Sequence, residues 1–307
     1  MQNNNSGLWT AFVSDGRPLI NLSGLILIAC GAFALFLCMS REFLPHDIRF
    51  LQMTPEQLCQ INACRISFFM FHDRASFGGV LIAIGILYLW LTEFPLKNGE
   101  PWAWWALVAS GCLGFLSFLS YLGYGYLDTW HGIGSLVLLP IFAYGLIRSR
   151  KSLPNMKSER SSITVGRLFL LLSVVGIIAA GFTITFVGMT RVFVPQDIQF
   201  IGLSPAQIAA INPRMIPLIA HDRAGFGGAL ISCGIAMLFS VVYAKPARSL
   251  WQALALSGAV GFSGAIAVHA LVGYLEFTHL APAVFGAFVY AVGLYLTHAE
   301  MTQQMKV

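Results

Sequence analysis

The sequence predicts an all-α polytopic membrane protein, in which eight transmembrane helices form two parallel four-helix repeats. Three observations predict this fold class. Apolar residues make up 57% of the 307 residues and charged residues only 10%, whereas a soluble domain has about 25% charged residues. Apolar runs long enough to cross a bilayer recur along the chain. Stretches of the first half also recur in the second half, which indicates an internal duplication.

The eight apolar runs are predicted to be helices because they are apolar on all sides and do not alternate as strands do. A helix also satisfies its own backbone hydrogen bonds inside a bilayer. The predicted spans are Leu22–Ser40, Phe68–Phe94, Trp102–Gly123, Gly132–Ile147, Arg167–Gly188, Phe226–Tyr243, Leu250–Val272 and Leu280–His298.

The linker "RSRKSLPNMKSER" between the fourth and fifth spans is strongly basic, which predicts that it lies in the cytoplasm. An even number of spans then places both termini there. We expect a multi-pass protein of the cell inner (plasma) membrane whose partner is the lipid bilayer, with membrane-protein partners or an oligomer left open. The pI of about 9.0 follows from this topology and does not indicate nucleic acid.

The predicted divisions follow the repeat. They are a cytoplasmic segment 1–21, a first four-helix repeat 22–148 with outer loop 41–67, a basic linker 149–166, a second repeat 167–298 with outer loop 189–225, and a tail 299–307.

Three motifs carry the duplication. "REFLPHDIRF" from Arg41 matches "RVFVPQDIQF" from Arg191, "HDRASFGG" matches "HDRAGFGG", and "GYLDTWH" matches "GYLEFTH". Because each half holds four spans, both halves point the same way, and we expect a pseudo-twofold axis along the membrane normal. Parallel four-helix halves favour paired static sites in bundle cores.

Each outer loop is predicted to contain a short helix. Thr54 and Ser204 are typical N-cap residues, and each is followed by a proline at the first helical position. Two interpretations stay open, a lid over the bundle mouth or a plain structural cap in which Arg41 and Asp47 form an ion pair.

The histidines are the strongest indication of chemistry, because six of the seven fall at the predicted outer end. Four of them are repeat pairs, and each pair is accompanied by carboxylates. Ionisable groups at this depth are costly and are usually functional or tightly paired. The histidines are His72, His221, His131 and His279, and the candidate catalytic carboxylates are Asp73, Asp222, Asp128 and Glu276.

Three site chemistries fit these residues. In the first, His72 with His131, and His221 with His279, are axial ligands of haem b in each half, and arginines meet the propionates, namely Arg74 and Arg223. In the second, each half holds zinc or iron on its two histidines plus Asp128 or Glu276, which lie three residues before a histidine and can share its helix face. In the third, His-Asp-Arg is a polar clasp in which Arg74 pairs with Asp128 or Asp47.

The layout resembles that of the heme A synthases, which have two parallel four-helix halves with a histidine near the outer end of every second span. Their His-Arg pair is matched here by "HDR" at His72 and His221, and the cysteine pair of some members by "CQINAC". The resemblance implies that His221 and His279 hold a haem cofactor, while His72 and His131 bind haem or a substrate. The family's catalytic glutamate is replaced by "SFFMF", so its methyl-oxidising activity is not implied.

The leading prediction is therefore a membrane haem protein acting in redox chemistry or haem handling. The alternatives are a non-haem metal-dependent membrane enzyme, and a non-enzymatic carrier or assembly subunit with a His-Asp-Arg clasp. Cys59 and Cys64, in the oxidising outer loop, are expected to be able to form a disulfide.

Overall fold

A computed structural model describes residues 13–119, 126, 129–151, 153 and 159–302, and these residues are helical without a β-strand. They form twelve α-helices, and α4 continues into a π-helical turn over Thr92–Leu96. The helices are α1 Arg17–Ser40, α2 Pro45–Leu51, α3 Pro55–Asn62, α4 Arg65–Leu91, α5 Pro101–Leu119, α6 Thr129–Arg150, α7 Val165–Thr190, α8 Pro195–Ile201, α9 Pro205–Ile211, α10 Met215–Tyr243, α11 Arg248–Val272 and α12 Phe277–Thr302.

Within the described residues, seven helices are long and apolar enough to cross a bilayer, which supports a membrane protein. They are α1, α4 with its π turn, α6, α7, α10, α11 and α12. The remaining predicted span, Trp102–Gly123, corresponds to α5, and its last residues lie outside the described part. The count of eight spans and the pseudo-twofold axis therefore stay predictions.

Both His-Asp-Arg motifs lie inside helices, whereas the predicted spans included only the first motif, because the sixth span was predicted to begin at Phe226. Helix α4 begins at Arg65 and α10 at Met215, so His72 and His221 lie about two turns into their helices. The helices extend this far because the motif's polar groups are buried and paired, and such groups do not end a helix. The sixth span, predicted from Phe226, was therefore predicted too short at this end, while the second, predicted from Phe68, begins slightly earlier at Arg65.

The short helices of the two connections were predicted correctly. The Thr54 hydroxyl accepts a hydrogen bond from the Gln57 backbone N–H at the start of α3, and the Ser204 hydroxyl does the same for Gln207 at the start of α9. Each cap is part of a capping box. These helices lie at the same end of the bundle as the histidine motifs, which we call the histidine end.

Each connection is fastened to the other half of the chain. The Asn62 side-chain amide donates to the Ile201 carbonyl (3.2 Å), and the Asn212 amide donates to the Leu51 carbonyl (2.7 Å). The apolar cluster at this end likewise mixes residues of both halves. The two connections therefore form one layer over the bundle.

Helices α4 and α10 form the centre of the bundle. They pack against each other, α4 also packs on α1 and α11, and α10 packs on α7 and α5. Glycine permits the close approach of α4 and α11, since a Cβ on Gly264 would lie 3.2 Å from the Cα of Gly79. Because α11 belongs to the second half and α4 to the first, the halves interlock within one bundle.

Candidate functional site

Three histidines from three helices meet at the histidine end. His72 of α4 and His269 of α11 are 4% and 5% exposed, and His279 of α12 is half-buried. One ligand nitrogen from each ring lies within 4.8 Å of the others, and the Nε2 atoms of His72 and His269 are 3.0 Å apart. We call this group the tri-histidine cluster.

The hydrogen bonds behind two of these rings determine their tautomers. Nδ1 of His269 lies 2.6 Å from the Ala265 carbonyl, which can only accept, so Nδ1 carries the proton. Nδ1 of His72 lies 3.2 Å from Asp73 Oδ1, and Asp73 is ion-paired through its other oxygen with Arg223. The carboxylate therefore accepts from His72 Nδ1–H as well. In the neutral rings both Nε2 atoms carry lone pairs.

Two lone pairs facing each other at 3.0 Å repel unless a cation lies between or beside them. A proton on one ring would convert the contact into a hydrogen bond, and a metal ion would bind both atoms. With metal–nitrogen bonds of about 2.0–2.1 Å, a tetrahedral ion holds its ligand nitrogens about 3.3 Å apart. The separation of His72 Nε2 and His269 Nε2 is close to this value, and a ring nitrogen of His279 lies within 4.8 Å of both.

A second histidine pair lies in the bundle. The rings of His131 on α6 and His221 on α10 have centroids 5.3 Å apart. His221 Nδ1 lies 3.0 Å from Asp222 Oδ1, which repeats the arrangement of His72 and Asp73. The Tyr126 ring contacts His221 edge-on at 5.0 Å between centroids.

The repeat histidines therefore pair across the halves. His72 meets His279, with ring centroids 5.7 Å apart, and His131 meets His221, whereas the sequence hypothesis paired His72 with His131 and His221 with His279. The physical reason is the interlocked packing of α4 with α11 and of α10 with α5.

The two aspartates of the motifs form crossed ion pairs between the central helices. The Arg223 Nε lies 3.1 Å from Asp73 Oδ2, and the Arg74 Nε lies 2.8 Å from Asp222 Oδ2. Both carboxylates thus face an arginine of the other half and a histidine of their own. Asp73 and Asp222, predicted as catalytic groups, hold histidines and arginines in place here.

The same arginines also bind carboxylates of the connections. Arg74 Nη1 lies 2.7 Å from Asp47 Oδ2, and Arg223 Nη1 lies 2.6 Å from Asp197 Oδ2. The ion pair of Arg74 with Asp47 is the one that the clasp hypothesis expected. Arg41, expected as the partner of Asp47 in the structural-cap interpretation, lies instead over the Phe68 ring at 5.2 Å.

A tyrosine completes each half of this network. Tyr274 donates its hydroxyl proton to Asp197 Oδ1 (2.8 Å), and Tyr126 donates to Asp47. Burial and the neighbouring Asp197 carboxylate raise the pKa of Tyr274 well above its usual value, so its phenol stays protonated. Its ring also stacks on His279, with centroids 4.4 Å apart, which joins the network to the tri-histidine cluster.

The network carries an excess of negative charge. Its charged groups are four carboxylates and two guanidiniums, namely Asp47, Asp73, Asp197, Asp222, Arg74 and Arg223. If every histidine is neutral, four negative and two positive charges give the network two excess negative charges. Four of the six residues are buried, and the side chains of Arg74 and Asp222 are only slightly exposed. An excess of buried charge is costly. A cation bound at or beside the histidines would offset this charge.

Of the two remaining predicted carboxylates, Glu276 directly precedes α12 and is not part of the tri-histidine cluster. Glu276 Oε2 accepts hydrogen bonds from the Thr278 hydroxyl and the His279 backbone N–H. The hydrogen bond from the Thr278 side chain makes the largest contribution to lowering the pKa of Glu276, and the backbone hydrogen bonds add to it. Glu276 thus caps the start of α12, and Asp128 lies outside the described residues.

His269 takes the place that the sequence hypothesis assigned to a carboxylate. It was not among the predicted site residues because it has no repeat counterpart; the equivalent position is Tyr121. The available signal was its position near the end of a span, where the other histidines lie. Cys59 and Cys64, for which the sequence left a disulfide open as a possibility, are bonded to each other.

Comparison with protein-family profiles, curated proteins and solved structures finds no match for this chain. The resemblance to the heme A synthases stays a prediction.

Proposed function

We propose that this protein is a metal-dependent membrane enzyme that binds one first-row transition ion, such as zinc or iron, on His72, His269 and His279. The observation that carries the proposal is the convergence of three imidazole nitrogens within 4.8 Å. Imidazole is a common ligand for zinc, iron and copper. Three protein ligands leave a coordination position for water or substrate, as in catalytic sites.

The surroundings of the cluster support this proposal. Asp73 and the Ala265 carbonyl hold the Nδ1–H groups of His72 and His269, and metal-binding histidines usually have such partners behind them. The excess negative charge of the network favours a bound cation. His279 is half-buried, which gives the cluster a less enclosed side.

A bound ion would supply Lewis-acid or redox chemistry at this position. The residues of the chain would do the rest. His72, His269 and His279 would hold the ion, Asp73 would orient the His72 ring, and Arg223 would keep Asp73 ionised. Tyr274, stacked on His279, would restrict how that ring can turn.

The test is the metal content of purified protein, measured by elemental analysis together with titration of the metal-free protein. We expect about one equivalent of a transition ion, and its loss in His269→Ala. Asp73→Asn should retain the ion but lower its affinity by about 10–100-fold. His298→Ala is the matched control, since His298 lies near the other end of α12 against Trp251. Absence of any stoichiometric metal, or equal loss in His298→Ala, would contradict the proposal.

A second candidate is a haem protein, as the resemblance implies. It is favoured by two contacts between histidine rings of different halves, His72 with His279 and His131 with His221. Two imidazoles facing one another are a suitable donor set for axial ligation. Oxidised and dithionite-reduced absorption spectra distinguish the candidates. A Soret band and a reduced α-band lost in His131→Ala or His221→Ala would favour haem over an ion in the tri-histidine cluster.

The third candidate is a carrier or assembly subunit in which the crossed ion pairs act only as a clasp. It is supported by the pairing of Arg74 with Asp47 and Asp222. All three candidates include the proposals that the protein lies in the plasma membrane, has cytoplasmic termini and consists of two parallel repeats. Unaltered stability, together with unaltered transport or complex assembly, in protein free of metal and haem would favour this candidate.

A further inference from the structure

We propose that a cavity at the histidine end, separate from the histidines, binds an amphiphilic anion with a carboxylate or phosphate head and an apolar tail. The cavity has a volume of about 330 Å³. It lies where the start of α4 meets α8 and the end of α11, so both halves build it. Its lining is Ala63, Arg65, Phe68, Gln199, Phe200, Val272 and Gly273.

The cation that lines this cavity is Arg65, and its repeat counterpart Arg214 is used differently. Arg214 donates from Nη1 to the Phe50 carbonyl (2.8 Å) and lies over the Phe50 ring at 5.8 Å. Among the described residues, Arg65 makes no side-chain hydrogen bond or ion pair. Arg214 is thus used to fasten the halves, while Arg65 is exposed and lines the cavity. A guanidinium can bind a carboxylate or a phosphate with two parallel hydrogen bonds.

The rest of the lining determines the class of anion. Gln199 offers a second side-chain donor, while Phe68, Phe200 and Val272 are apolar and half-buried. A fully hydrated ion would not cover these apolar surfaces, whereas the first carbons of a tail would. At about 30 Å³ for each water-sized group, the cavity holds a head group and the beginning of a chain. The rest of the tail would extend along the lipid-facing surface of the helices.

The cavity also lies close to the tri-histidine cluster. Phe200 stacks on Tyr274 with centroids 4.5 Å apart, and Tyr274 stacks on His279 at 4.4 Å. A ligand against Phe200 would therefore lie two rings from His279. The proposed anion site does not require a metal, so the two proposals can fail separately.

The test measures binding to the full-length protein in an uncharged detergent, with oleate and dioleoyl phosphatidate as probes. Methyl oleate and inorganic phosphate are the comparison probes, because each lacks one part of the ligand. We expect Arg65→Gln to weaken oleate or phosphatidate binding by about tenfold or more, in line with loss of a charge-assisted pair. Arg214→Gln is the matched control and should change it by less than about twofold.

Binding of phosphatidate alone would identify a lipid phosphate as the ligand, and binding of oleate alone a free carboxylate; both outcomes support the site. A second variant, Gln199→Trp, should also weaken binding by filling the cavity. The proposal is overturned if methyl oleate binds as well as oleate, if inorganic phosphate binds as well as phosphatidate, or if Arg65→Gln and Arg214→Gln behave alike.

Discussion

Removal of Arg223 should destabilise the protein far more than removal of its partner Asp73. Arg223 is 6% exposed and joins three acceptors, namely Asp73, Asp197 and the Val192 carbonyl. Arg223→Gln leaves two buried carboxylates without their cation. Breaking a buried ion pair by removing one partner costs about 3–5 kcal/mol, and here two carboxylates lose the same partner.

Asp73→Asn changes the net charge of the buried network in the opposite direction from Arg223→Gln. It removes one of the excess negative charges, and Arg223 keeps its ion pair with Asp197 (2.6 Å). The cost is then limited to weakened hydrogen bonds with His72 and Arg223, about 1–3 kcal/mol. Arg223→Gln should therefore cost about 2 kcal/mol more than Asp73→Asn, the difference between these two ranges.

The assay is equilibrium unfolding in mixed micelles, with dodecyl sulfate as denaturant and tryptophan fluorescence as the signal. Arg214→Gln is the control, because it removes one arginine-to-carbonyl contact between the halves and should cost only about 0.5–1.5 kcal/mol. If Asp73→Asn proved as destabilising as Arg223→Gln, the inferred excess of negative charge would be refuted.

Three further predictions concern packing, cysteines and the tyrosine. Gly264→Ala should be less stable than Gly261→Ala by about 1–3 kcal/mol, because a Cβ at 264 meets the Gly79 backbone at 3.2 Å and one at 261 has its nearest neighbour at 3.8 Å; equal unfolding free energies would contradict the close approach of α4 and α11. Alkylation of the denatured protein, read by mass spectrometry, should modify four cysteines before reduction and six after it; six before reduction would exclude the disulfide. Tyr274→Phe should cost about 1.5–3 kcal/mol in the same unfolding assay, since it removes a hydrogen bond to the Asp197 carboxylate, and an unchanged unfolding free energy would show that this bond contributes nothing.

The membrane class and most helices could be predicted from the sequence because they depend on local properties. A span needs only a long apolar run, and the α3 and α9 starts need only Thr54 or Ser204 before a proline. The start of α10 was predicted too late because polar residues such as His221 and Asp222 resemble a helix end. They continue the helix because Arg74, from the other half, pairs with Asp222.

The pairing of the histidines could not be predicted, because a duplicated sequence does not indicate which half supplies each neighbour. Contact between Gly79 and Gly264 brings α11 onto α4, and this contact joins residues far apart in the chain. His269 was missed for a related reason. Reasoning from repeat pairs favours residues that occur twice, while the third histidine of the cluster occurs once.

The central claim is that three imidazoles bind one ion, and X-ray absorption at the metal edge of loaded protein tests it most directly. The account predicts three imidazole nitrogens at about 2.0–2.1 Å from the ion, and loss of the ion, and so of this signal, in His269→Ala. A shell of porphyrin nitrogens, a sulfur ligand, or a spectrum unchanged in His269→Ala would contradict it.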